Sequence, residues 1–382
     1  MYSQDEINSA VAAGVLTQDA ADALRAHTAQ IRERPVTDEE HFRLVNSFND
    51  VFVTIGIVIL LIAAGAIGQA IGGAFVSVPE WPISDTSTDE INRIMSMRET
   101  AEALKMAIAA LLVTAVSWPL AEFFTGKRRM ALPSIILLVA FVGGVFASAV
   151  GIGRLIAGFE NTVVGAILIL ASGILAMLAA WFHWRRFKVP ITVAAGAAAA
   201  AASFLAFVGS LVEVTVGTDP GDWLLPFIFV AGVAIFAFAM RWDTSDPTRE
   251  TRRSDVAFWL HLLAAPMIAH PIFYATGVMD NSSDVSVIGA LAVLAIYILF
   301  GFVALAIDRR ALLVSALAYV LVALAFLFDT FGAVELTFAL TALVIGSALL
   351  TLSAYWSPVR RKIVSGLPEG LQAKLPASAV VA

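Results

Sequence analysis

The sequence predicts an all-α fold: a polytopic transmembrane helical bundle of about ten spans in five antiparallel hairpins, preceded by a small cytoplasmic helical hairpin. Three observations lead there. The 382-residue chain is 59% hydrophobic and only 14% charged, with mean hydropathy +0.86, whereas soluble domains run at about 45–50% apolar and about 25% charged. Ten stretches are long enough to cross a hydrocarbon core about 30 Å thick, which takes about 20 apolar residues of helix. The cations also segregate. With the N-terminus inside, 20 of the 24 Lys and Arg fall in cytoplasmic segments, and only Arg93, Arg98, Lys105 and Arg154 fall outside. Short loops rich in Lys and Arg stay on the cytoplasmic side. An even number of spans then returns the C-terminus to the cytoplasm.

Residues 1–49 form the first region. They are polar and acidic, lack the basic start and short apolar core of a secretory signal, and leave the first span to act as its own insertion signal. Ser3 and Glu6 fit a capping box, and Gly14 suits a helix stop because glycine tolerates the left-handed cap. Thr17 caps a second helix running to about Arg34, which Pro35 breaks. Thr37 and Glu40 form another capping box, opening a helix through Phe42, Val45 and Phe48 into the membrane.

The bundle, residues 50–356, contains predicted spans at about 51–76, 102–125, 131–153, 162–183, 190–213, 222–240, 256–277, 285–307, 311–332 and 335–356. Gly68 and Gly72 form a GxxxG pair, and Gly143, Ala147 and Gly151 continue the small-residue pattern that lets helices approach closely in lipid. The run Ala194–Ala202 predicts a fifth span set between neighbours. The outer segment 77–100 is read as a turn with Trp81 at headgroup level and a short separate helix over 88–97. Basic clusters recur every 50 to 70 residues, and GKRRMALPS, WRRFKVPIT and DRRALLVSA share one order: a basic pair, then apolar residues entering a helix. Either duplication or the charge rule alone produces this spacing. The tail, residues 357–382, carries Arg360, Arg361 and Lys362 and suits either a surface segment drawn to anionic lipid or, given Pro368, Gly370 and Pro376, an unstructured tail.

The seventh stretch, DVAFWLHLLAAPMIAHPIFYATG, holds the candidate chemistry. It combines His261 and His270 with Pro266 and Pro271. Proline removes a helix donor and pushes the preceding residue toward extended angles, so two helix breaks are expected, with His270 extended. Ionisable residues in a span are functional candidates, and histidine changes charge near neutral pH. His261 and His270 are nine residues apart and face opposite sides of a straight helix, so they are no ready metal pair. His270 and Tyr274 share a face. Asp329 lies in the last turn of an apolar span, among outer acids that include Glu213, Asp219, Asp222, Asp280, Asp284 and Glu335. Arg154 is expected to pair with Glu160, Glu122 to reach the cytoplasm, and Gln69 to bond another helix.

Other chemistry is excluded or unsupported. Without cysteine, disulfides and thiolate metal sites are impossible. No phosphate-cradling loop, HExxH or GxSxG occurs, and no cofactor or catalytic residue is assigned. The basic residues are spread too thinly over turns for nucleic-acid binding. The partners that remain are the bilayer and a cytoplasmic protein engaged through residues 1–49.

The segment INSAVAAGVLTQDAADALRAH, followed directly by a many-span bundle, resembles an uncharacterised bacterial family of predicted membrane proteins, a domain of unknown function. RRSDVAFWLHLLAAPMIAHPIF and DRRALLVSALAYVL look like its proteobacterial members. The resemblance implies the inner membrane of a Gram-negative bacterium and brings no activity with it.

Two functional expectations follow. The first is a transporter or permease for a small solute or ion, with the seventh span lining the path. The second is a non-catalytic scaffold or sensor working through residues 1–49. A water-filled cavity reaching His270 goes with transport, and a dry, tightly packed seventh span goes with the scaffold. An enzyme acting on lipid is a poorer fit, because no acid–base constellation appears.

Overall fold

Apolar side chains in runs of about 20 can satisfy their backbone in lipid only as helices, and among the described residues the chain does so ten times. The computed structural model describes residues 11–23, 48–77, 87–158, 162–217, 221–247, 249, 251–277, 287–331, 336–372 and 375–376. The spans are α1 (Phe48–Phe75), α2 (Thr88–Ala121), α3 (Ala131–Ala157), α4 (Thr162–Phe187), α5 (Ile191–Val216), α6 (Gly221–Asp243), α7 (Arg252–Tyr274), α8 (Val287–Ile307), α9 (Ala311–Thr330) and α10 (Thr337–Ala354). Two short helices, α11 (Trp356–Ser365) and α12 (Glu369–Gln372), follow. All ten candidate spans lie where the hydropathy places them.

Consecutive helices, α7 and α8 excepted, pack against each other, most extensively α2 on α3, α4 on α5 and α6 on α7. Each odd-numbered helix also touches the next odd one, α1 to α3, α3 to α5, α5 to α7 and α7 to α9. The hairpins therefore stand side by side along a row of odd helices. The alanine-rich α5 meets α3, α4, α6 and α7, as its lack of bulk allows.

The turns obey a regular geometry. At the basic end, Arg129, Lys188, Arg249 and Asp308 have φ of 53° to 58°, two or three residues before the next helix begins. They lie 59, 61 and 59 residues apart. At the opposite end Gly158, Gly217 and Gly277 hold the left-handed position, with φ of 70° to 74°, a conformation glycine adopts without a Cβ clash.

Close helix contact follows the small residues, with one correction. A Cβ on Gly68 would lie 2.4 Å from Ala109 Cα, and one on Gly72 would lie 2.7 Å from Lys105 Cα, so α1 and α2 touch through backbone. On α3, Gly151 meets Ala103 and Ala107, but Gly144 rather than Gly143 meets α2, at Thr114. Gly143 faces open space, because its neighbour in sequence occupies the packed face.

Two further readings change. The separate surface helix over 88–97 is instead the start of α2. Ser87 caps it by accepting from the Glu90 amide, and no breaker intervenes before Pro119, so 34 residues form one helix about 51 Å long at 1.5 Å per residue. In the N-terminal region Gly14 takes the left-handed stop (φ 71°), and Thr17 Oγ1 accepts from the Ala20 amide as a cap. The capping boxes at Ser3–Glu6 and Thr37–Glu40, the helix end at Arg34, and Trp81 lie outside the described residues.

Candidate functional site

Helix α7 is the central post of the C-terminal half. Half of its membrane-length window is buried, against 11–39% for the other spans. Ala264, Ala265 and Ala269 are wholly buried, so neighbours approach its backbone. A Cβ on Gly232 of α6 would come within 2.8 Å of Met267. The helix runs unbroken from Arg252 through Pro266 and Pro271 to Tyr274, and His270 is helical. The expected breaks do not occur. A span has no water to satisfy an unwound backbone, so keeping the remaining helical bonds wins over the proline's local preference.

The two histidines do different things. His261 is 2% exposed and its Nε2 lies 2.9 Å from Asp243 Oδ2 at the end of α6. Asp243, 1% exposed, is also gripped by Arg309 of the α8–α9 turn, with Nη2 at 2.5 Å from Oδ1 and Nε at 3.3 Å from Oδ2. Arg309 Nη2 donates further to the Ser254 carbonyl and hydroxyl on α7. The acceptor carboxylate assigns the His261 proton to Nε2. Nδ1 is then a buried nitrogen without a hydrogen-bond partner, with Phe236 edge-on to the ring at 5.0 Å.

A second carboxylate extends the network. Asp308 Oδ2 accepts from Arg249 Nη1 at 2.8 Å, and Oδ1 accepts from Trp356 Nε1 at 2.7 Å. Arg360 Nε lies 3.6 Å from the same Oδ1. Burial lowers the Arg249 pKa, Arg309 adds to the shift and Asp308 opposes it; arginine nonetheless keeps its charge. Asp246 closes the α6–α7 turn by accepting from the Thr251 amide and hydroxyl. Arg360 of the tail is thus turned inward, 4% exposed and bonded to the Pro376 carbonyl. Arg361 and Lys362 remain exposed.

His270 is exposed, and its Nδ1 lies 2.5 Å from the Tyr319 hydroxyl of α9. Tyr274 packs beside it, with ring centroids 6.1 Å apart, so the expected shared face is present. Pro266 is exposed, and Asp329 is exposed at the end of α9, away from both histidines. The structure does not gather the six sequence-predicted residues into one site. Two open grooves lie among α1, α2 and α3, and no residue of α7 lines either. Among the described residues, no three His, Asp or Glu side chains converge as metal ligands.

No family model, curated protein or solved structure matches this chain.

Sequence reasoning passed over Asp243, Arg309, Asp308 and Arg249, counting the arginines only as inside charge. The available signal was an acid abutting an apolar run, in FAMRWD and in AIDRR. It also passed over His183, fully buried and 3.2 Å from Thr192 Oγ1. Glu122 does not face water alone. It binds Arg186 through both oxygens, at 2.8 and 2.6 Å. Glu160, Asp219, Asp280, Asp284 and Glu335 lie outside the described residues, as does the Asp222 side chain.

Proposed function

We propose that this multi-pass membrane protein is a non-catalytic scaffold or sensor of a bacterial inner membrane. In this reading it presents residues 1–49 to a cytoplasmic protein partner. The observation that carries it is the state of α7. The span that carries both His261 and His270 is packed on α5, α6 and α9, and its inner histidine is engaged in a buried ionic network. An ion pair sealed from solvent on three helical elements fixes their register; it does not leave a path for a solute. Deleting residues 1–47 tests the reading. In-cell cross-linking of the intact chain is expected to recover a partner that the truncated chain loses, while the bundle melts at an unchanged temperature in detergent. A truncated chain that keeps every cross-link of the intact one removes the proposal.

A second reading, transport of a small solute or ion, is favoured by one observation. His270 is an exposed, ionisable residue in a span, hydrogen-bonded to Tyr319. On this reading His270→Ala abolishes uptake of the cognate solute. Equal uptake by His270→Ala and the unaltered chain, across a panel of cations, anions and sugars in vesicles, eliminates it.

A further inference from the structure

The larger of the two open grooves has a volume of about 420 Å³, within the roughly 300–1,000 Å³ range of ligand pockets. Its floor is α2, through Met106, Ala109, Ala110 and Val113. Gln69 of α1 walls one side, and Val139, Ala140 and Gly143 of α3 wall the other. A second groove of about 340 Å³ shares Val139 and Ala140 and continues along Val58, Leu61 and Ile136. Together they make a continuous, lipid-facing trench.

The polar side chains of the trench, Gln69, Glu102 and Lys105, all line the larger groove, and the smaller one is lined only by apolar residues. Glu102 and Lys105 sit at the mouth of the trench, 2.8 Å apart, with Lys105 one-third exposed and Glu102 72% exposed. Lys105 is 16 residues from Ala121 at the end of α2, about 24 Å along the helix, and the six-residue π-helix Glu122–Lys127 continues beyond it to the basic end. Together these cover about one hydrocarbon thickness, which sets the polar mouth at headgroup level in the leaflet opposite the basic turns. At the other end, Val58 is ten residues into α1, about 15 Å from the basic end and so near the bilayer midplane. The apolar run thus spans one leaflet.

We infer that this trench binds one phospholipid of that leaflet, with a zwitterionic headgroup bearing a primary ammonium. Lys105 takes the phosphate, Glu102 takes the ammonium, and an acyl chain lies along Ala109, Val113, Val139 and Ala140. The adjacent cation and carboxylate match the order of charges in an ethanolamine headgroup. A quaternary ammonium offers Glu102 no N–H donor, and an anionic glycerol headgroup offers no cation. Charge-assisted hydrogen bonds of this kind are the strong ones.

Native mass spectrometry of the full chain, released from nanodiscs of mixed ethanolamine, choline and glycerol phospholipids, tests this. The intact chain is expected to retain one ethanolamine phospholipid. Gly143→Leu fills the trench from a position where an added Cβ meets nothing within 4 Å, and retention is expected to fall about tenfold or more, as loss of about 1.4 kcal/mol of binding gives. Glu102→Gln, at an exposed side chain, tests the headgroup separately and is expected to erase the preference for ethanolamine over choline. Four results overturn the inference: no retained lipid, retention unchanged in Gly143→Leu, a glycerol phospholipid retained in preference, or a second copy of the chain occupying the trench in place of lipid.

Discussion

Arg309→Met is expected to destabilise the folded bundle by about 3–5 kcal/mol, the cost of stranding one partner of a buried ion pair. Asp243 would lose both bonds from Arg309 and keep only His261, at a site where its side chain has no solvent contact. The Ser254 carbonyl and hydroxyl would lose their donor as well. Thermal unfolding in detergent reads this as a large fall in melting temperature. Adding Asp243→Leu to Arg309→Met is expected to recover part of the loss, because it removes the stranded charge; the remainder persists because His261 Nε2 then lacks its acceptor. If Arg309→Met alone melts with the unaltered chain, the network does not hold the C-terminal half together.

Gly68→Ile is the second large effect. Its Cβ would fall 2.4 Å from Ala109 Cα and 2.8 Å from Ala109 N. These are backbone atoms, with no rotamer available to relieve the clash. Overpacking costs about 1–3 kcal/mol where side chains can adjust, so the upper end or beyond is expected here, with α1 forced off α2. The chain has no cysteine, which gives a clean readout. Gly65→Cys with Val113→Cys, positions at which a Cβ added to Gly65 would lie 3.6 Å from Val113 Cγ2, is expected to cross-link readily, and about tenfold less once Gly68→Ile is added. Gly143→Ala, with open space around its Cβ, serves as the silent control. If Gly68→Ile cross-links as well as that control, α1 and α2 do not meet as described.

The ten spans were legible because lipid imposes length and hydropathy directly on the sequence. Gly68 and Gly72 were legible for the same reason: close approach in lipid selects for the smallest residues. What misled was local chemistry read without its solvent. Pro266 and Pro271 would break an exposed helix, but in α7 they leave it continuous. The polar run at 88–97 reads as a separate surface helix, yet without a breaker it continues into α2. The ionic network was hidden for a different reason. Asp243 and Arg309 are 66 residues apart, and Arg249 and Asp308 are 59 apart. No periodicity over one or two helical turns joins residues so distant; only the side-by-side stacking of hairpins brings them within bonding distance. Sequence placed His270 and Tyr274 on one face correctly, because that relation lies within a single helix.

The left-handed residues at 129, 188, 249 and 308 bear on how such a chain can change length. Each interval between them comprises one outward and one returning pass. Insertion or loss of a single interval, about 60 residues, would leave the tail emerging on its original side. A gain or loss of about 30 residues would invert everything downstream of it. Viable length variants of this architecture are therefore expected to differ by whole pairs of crossings.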